Sequence, residues 1–180
     1  MKKVLLLILL SAATVFTTAS AQRKTLAPVP LKFSIGLELE APIGDFRHIY
    51  SAGFGGSGKI EIPATRQLFI TATAGYTNFY LKDDVKRAYR AFGLSTSPDG
   101  FVPLKVGGKY YFSPAFYGEA EIGAAIGTNH GSGTAFAYAP EIGTSIPLGG
   151  RNAIDVGLRF ESWSQNRTVN QFALRVAYKF

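Results

Sequence analysis

The residues of this chain that could do chemistry fall into three groups. The largest is a set of charges recurring at every second position within otherwise apolar segments. It comprises the acids Glu38, Glu40, Glu61, Glu119, Glu121, Glu141, Asp155 and Glu161 and the bases Lys59, Lys105, Lys109, Arg159, Arg175 and Lys179. Charges of nearly balanced sign suit mutual pairing, or the lining of a path for ions or small solutes. The second group is His130 and Ser132 with Glu141, the residue types of a base, a nucleophile and an orienting carboxylate. Here the spacing fails, because His130 and Ser132 flank Gly131 in a turn while Glu141 sits on a charged strand face. Nothing then fixes the base against the nucleophile, which such a triad requires. The third group is Lys86, Arg87 and Arg90 in the longest polar connection. The two histidines, His48 and His130, both fall in loops without a carboxylate-rich cluster, so no metal site is expected, and no cofactor either. Absence of cysteine removes thiol nucleophiles, disulfides and Cys-ligated metals.

The elements that must position the charges alternate with period two. Phe172, Leu174, Val176, Tyr178 and Phe180 alternate with Ala173, Arg175, Ala177 and Lys179, which makes a strand with one apolar and one small or charged face. Seven more segments repeat the pattern, near 33–40, 53–62, 68–77, 102–112, 116–126, 136–146 and 154–161. Each is about the 9–11 residues that cross a bilayer when tilted. Connections alternate in length. Those at 63–67, 113–115 and 147–152 are short and carry Pro or Gly, whereas 43–50, 81–100, 128–134 and 162–170 are mostly longer and polar.

A soluble sandwich would also alternate, so the decision rests on other features. The apolar faces of the eight strands carry no charge and are edged by aromatics. Phe33, Tyr110, Phe112, Phe116, Tyr178 and Phe180 form a lower belt, and Tyr76, Phe136, Phe160 and Phe172 lie toward an upper one. Aromatic girdles and unequal loops describe a lipid-facing surface, with both termini at the short-turn, periplasmic end. At the start of the chain, Lys2 and Lys3 precede an apolar run and Ala19-Ser20-Ala21 closes it. Residues 1–21 therefore read as a secretory signal peptide cleaved near Ala21, too short in its apolar core to span a membrane. Residues 22–31 would form a short periplasmic segment and residues 32–180 the folded domain.

The signal peptide, the eight strands, the segment Ala74-Gly75-Tyr76-Thr77-Asn78-Phe79 and the ending Leu174-Arg175-Val176-Ala177-Tyr178-Lys179-Phe180 resemble the small bacterial outer-membrane β-barrel proteins. This is the OmpA/OmpX-like group, often labelled "porin family", and the chain is most similar to versions from Bacteroidota. The resemblance spans the whole mature chain. It implies an all-β fold, an eight-stranded antiparallel up-and-down transmembrane β-barrel, in the outer membrane. It also implies that Phe172, Leu174, Val176, Tyr178 and Phe180 are the signal read by the barrel-assembly machinery. Expected surroundings are outer-membrane lipid and lipopolysaccharide, and the expected state is a monomer.

Eight strands enclose a space that side chains can just fill. Fourteen inward charges, with Phe69, Tyr111 and Tyr117, predict a packed polar plug held by an internal ion-pair network. Inward glycines at 36, 53, 55, 75, 107, 123, 143 and 157 either leave gaps for a narrow path or permit tight strand curvature. The His-x-Ser plus Glu set superficially resembles outer-membrane lipid A deacylases, but those groups belong on lipid-facing strands. In the long loop, Asp83-Asp84 at the start, Gly93 at the end and Val85, Ala88, Tyr89 and Phe92 on one side predict a short amphipathic helix. Lys86, Arg87 and Arg90 would face outward or toward lipopolysaccharide phosphates; the plainer and preferred reading of the segment is an ordinary solvated loop with some local order. Nucleic acid is not an expected partner, since secretion separates the two and the bases form no single patch. The expected function is non-enzymatic: envelope integrity or surface interaction through the extracellular loops. A narrow channel for ions or small solutes stands second, and a lipid A-modifying hydrolase third.

Overall fold

The computed structural model describes residues 30–128, 133–165 and 168–180. The signal-peptide segment, residues 22–29, His130 and Ser132 lie outside the described residues.

Eight strands follow one another: β1 (Lys32–Ile43), β2 (Tyr50–Pro63), β3 (Leu68–Leu81), β4 (Asp99–Tyr111), β5 (Phe116–Gly127), β6 (Thr134–Gly149), β7 (Asn152–Ser164) and β8 (Thr168–Lys179). Each pairs antiparallel with its neighbours in sequence, and β8 pairs with β1, closing a barrel. The closing seam runs from Ser34↔Lys179 to Ile43↔Asn170. At its foot Phe33 and Phe180 exchange backbone hydrogen bonds of 3.1 and 2.9 Å. Closure matters because an open strand edge in hydrocarbon would leave unpaired backbone groups, each costing several kcal/mol.

The strands run 12 to 16 residues, longer than the period-two segments alone. The excess lies mostly at the long-loop end, where β3 continues to Leu81, β4 begins at Asp99 and β7 continues to Ser164. Long connections are accordingly shorter than the sequence pattern implied. At the other end, β6 continues through Pro147 and Leu148 to Gly149, so the expected 147–152 turn narrows to Gly150-Arg151. Gly149 and Gly150 adopt φ of 113° and 62°, a region closed to most side chains, which is what lets the chain reverse so sharply. The other two short turns are tied by hydroxyls. Thr65 Oγ1 accepts from the Leu68 N–H at 2.9 Å, and Ser113 Oγ accepts from the Phe116 N–H at 3.1 Å.

Among the described residues, two of the long connections carry structure of their own. Gly44–His48 is a single 3₁₀ turn, and Asp83–Ala91 is a helix, α1. Burial is inverted relative to a soluble protein. Ile35, Val106 and Ile142 are more than half exposed, while Lys59, Glu61 and Arg159 are 2% exposed or less. No helix among the described residues is long and apolar enough to cross a membrane. An uninterrupted apolar outer wall with a charged interior is stable only where the wall faces hydrocarbon.

Candidate functional site

The alternation of every strand carries its small and charged residues to the lumen, where all fourteen charges named from the sequence are 0 to 5% exposed. They sort into three levels. Nearest the short turns, Lys109 bridges Glu61 at 2.6 Å and Asp155 at 2.7 Å, and Lys179 reaches Asp155 at 2.8 Å. Lys179 also donates to Ser145 and to the Tyr111 hydroxyl, which donates to Glu61. Midway, Lys59 meets Glu119 at 2.7 Å and Glu121 at 3.9 Å, and the Thr73 hydroxyl donates to Glu121. Higher, Arg159 lies 2.5 Å from Glu38, 2.7 Å from Glu161 and 3.8 Å from Glu141. Lys105 adds a second cation to Glu161 at 2.8 Å, and Arg175 a second to Glu38 at 3.6 Å. Carboxylates held this far from water need such partners, since an uncompensated buried charge costs several kcal/mol.

Glu40 departs from the expected pattern. Among the described residues no cation lies within ion-pair distance of it, and its carboxylate accepts from the Thr77 hydroxyl at 2.9 Å. It sits beside Gly53 and the Phe79 ring, in the cross-strand row of Ala173 and Arg159.

Both ends of the charged column are closed by rings. Toward the short turns, Phe69, Tyr111 and Tyr117 pack at centroid distances of 5.5 and 5.7 Å, with Lys109 Nζ 3.8 Å from the Tyr117 ring and Lys32 Nζ 4.3 Å from Phe69. Toward the long loops, the 3₁₀ turn drives Phe46 inward, 4.7 Å from Tyr50 and 5.0 Å from Phe79. Phe79 and Phe101 each contact Trp163, at 5.7 and 5.0 Å. Trp163 Nε1 donates to Glu161 at 2.8 Å, and the Tyr50 hydroxyl donates to Asp99. Phe46, Phe79 and Trp163 are nearly inaccessible to solvent.

This upper cap was not anticipated from the sequence. Phe79, Phe101 and Trp163 keep the inward parity of Thr77, Lys105 and Glu161, so carrying the alternation a few residues upward finds them. Phe46 belongs to no strand and had no periodic signal. The inward glycines leave no gaps. A Cβ would stand 2.6 Å from Ala177 Cβ at Gly36, 2.0 Å from a backbone oxygen at Gly107 and Gly123, and 2.4 Å from the Tyr117 ring at Gly143. They are points of closest approach, which allow the wall to coil tightly. The hydrolase set loses its third member here, because Glu141 accepts from the Tyr117 hydroxyl at 2.9 Å and faces Arg159.

Outside the barrel, Lys86, Arg87 and Arg90 stand on α1, none of whose residues is buried. The ending named from the resemblance spans the outer face of β8, where Phe172, Leu174, Val176, Tyr178 and Phe180 are all outward.

A closed antiparallel eight-stranded β-barrel with an apolar exterior and a charged, ring-capped interior defines a transmembrane barrel. No protein-family model matches the chain, and no curated protein matches it. Solved structures do. Ail, the attachment invasion locus protein of Yersinia pestis, aligns with a TM-score of 0.53 at 15% identity, over 83% of this chain and 97% of its own. Neisserial surface protein A aligns with a TM-score of 0.56 at 11% identity, over 83% and 95%. The outer membrane protein AlkL, solved in lipid bilayers, aligns with a TM-score of 0.53 at 12% identity, over 88% and 93%. The chain has the fold of these small outer-membrane barrels, and at such identities the likeness is one of fold.

Proposed function

We propose that the chain is a monomeric, non-enzymatic protein of the bacterial outer membrane, whose barrel is a rigid scaffold and whose extracellular loops make its specific contacts. The observation that carries this reading is the closure of the lumen at both ends, by Phe46, Phe79 and Trp163 above and Phe69, Tyr111 and Tyr117 below. Between those caps the charges other than Glu40 pair with one another, which supports an interior that serves stability. Support for the location comes from the apolar wall and the shared fold. The role that follows is envelope integrity or surface interaction, with outer-membrane lipid and lipopolysaccharide as the surroundings and the assembly machinery as a partner during biogenesis.

The test separates loop from lumen in cells lacking the native gene. One variant replaces residues 82–98 with a short Gly-Ser linker, and another replaces Lys59 with Met. With both barrels confirmed at the surface, loss of detergent resistance or surface binding in the loop variant alone supports the reading. Loss in the Lys59 variant with a fully active loop variant overturns it.

A further inference from the structure

Helix α1 carries an apolar side that the protein covers only in part, with Val85 half-buried and the end at Phe92 open. Val85, Ala88, Tyr89 and Phe92 recur at the spacing of one helix side, with Lys86, Arg87 and Arg90 opposite. Phe92 is 81% exposed, Leu94 56% and Tyr89 36%. The helix is nevertheless built with care. Asp83 and Asp84 occupy its first turn and Arg90 its last, favouring the helix dipole, and Lys86 Nζ lies 3.6 Å from Asp83. At its end Gly93 takes φ of 69°, while the Gly93 N–H donates to the Arg90 carbonyl at 3.1 Å and the Leu94 N–H to that of Tyr89 at 2.8 Å. Nine residues make a marginal helix in water, so its apolar side calls for a surface.

The placement says which surface. β3 presents its outer row upward through Ala72, Ala74, Tyr76, Asn78 and Tyr80, and the two tyrosines, 47% and 42% exposed and flanking the polar Asn78, mark the upper edge of the apolar wall. Only Leu81 and Lys82 separate Tyr80 from α1. The helix thus starts at the upper edge of the apolar wall. Lys82 and the three bases of α1 outnumber its two acids, which matches an anionic surface.

Resting on the outer-membrane reading, we infer that α1 is an interfacial anchor for lipopolysaccharide. Val85, Tyr89, Phe92 and Leu94 settle among the acyl chains, and Lys82, Lys86, Arg87 and Arg90 meet the phosphates of the glycolipid headgroup. Lipopolysaccharide fits better than phospholipid because its phosphates sit on sugars that rise above the acyl chains. The bases lie on the side of α1 away from those chains, so a helix sunk to the acyl boundary brings them among such phosphates.

Because the chain has no cysteine, a single one can be placed and spin-labelled. Ala88→Cys reports the apolar side of α1 and Asp83→Cys the polar side. Each full mature barrel is refolded into vesicles containing lipopolysaccharide and into phosphatidylcholine vesicles, and accessibility to oxygen and to a water-soluble nickel chelate is read by electron paramagnetic resonance. In lipopolysaccharide the label at 88 is expected to be oxygen-accessible and chelate-protected, and the label at 83 the reverse. Adding Arg87→Gln and Arg90→Gln is expected to lift position 88 toward water in lipopolysaccharide and to change nothing in phosphatidylcholine. Equal chelate access at both positions, in a barrel verified by heat-modifiable gel migration, overturns the anchor. Equal immersion in both lipids, indifferent to the arginine changes, overturns the lipopolysaccharide assignment. Failure of the chain to form a barrel in either lipid overturns the membrane reading itself.

Discussion

The Tyr117 hydroxyl donates to Glu141 at 2.9 Å from a ring seated over two glycines, Gly143 and Gly157, which face it on β6 and β7. A Cβ at Gly143 would stand 2.4 Å from Tyr117 Cζ, and one at Gly157 2.2 Å from Glu141 Oε1 and 2.9 Å from the Tyr117 hydroxyl. The absent side chains are therefore what allow a ring and a carboxylate to share one level of a narrow lumen.

Gly143→Ala and Gly157→Ala are each expected to destabilise the barrel by about 1–3 kcal/mol, the usual cost of overpacking a filled interior. Gly58→Ala is the control, because it faces outward with nothing within 4 Å of the added carbon. Its effect should stay within about 0.5 kcal/mol. Urea unfolding of the refolded barrel in lipid measures all three, and equal effects at 58 and 143 would contradict the packing argument.

Arg159 holds three carboxylates, whereas Lys109 shares Asp155 with Lys179. Arg159→Met is expected to cost about 3–5 kcal/mol, the penalty for leaving buried acids uncompensated. Lys109→Met should cost about as much, since each change leaves one acid without a cation, Glu141 or Glu61, while Lys105, Arg175 and Lys179 keep the others paired. A cost below about 1 kcal/mol for both in the same unfolding experiment would mean that water, and not the pairing, solvates these acids.

Trp163 is the single tryptophan and is 3% exposed beneath Phe46, through the rings of Phe79 and Phe101. Its emission should be blue-shifted and poorly quenched by acrylamide. Phe46→Ala should red-shift it and raise the quenching constant without unfolding the barrel. Unchanged quenching would show that the 3₁₀ turn is not what closes the mouth.

Phe180 closes the β1–β8 seam through two backbone bonds with Phe33 and ends the outward row of β8. Deleting it should lower the amount of barrel at the cell surface more than it slows refolding of the purified chain into detergent. Surface levels like those of the unaltered chain would contradict the proposal that Phe180 is read as an assembly signal.

How much of this was legible beforehand follows from the physics of alternation. On a strand, parity alone decides lumen or lipid, so the placement of Glu38, Arg159 and Lys179 could be read from their neighbours two residues away. Helix α1 was legible because Asp83 and Gly93 mark its ends. What could not be read was anything set by three-dimensional closure. Phe46 reaches the lumen because a 3₁₀ turn folds over the mouth, and the pairing of Arg159 with Glu38 spans β7 and β1, which are not neighbours in the sheet. Whether the inward glycines left voids also depended on how tightly the wall coils, and Tyr117 fills the space at Gly143 and Gly157.

The central claim is that the lumen is a filled scaffold, and conductance across a planar bilayer tests it most directly. The mature chain, refolded and verified as a barrel by its faster gel migration when unboiled, is expected to be silent at moderate voltage. Steady, reproducible openings that vanish when the lumen is plugged would contradict the account and make Lys59, Glu121 and Arg159 lining residues of a channel.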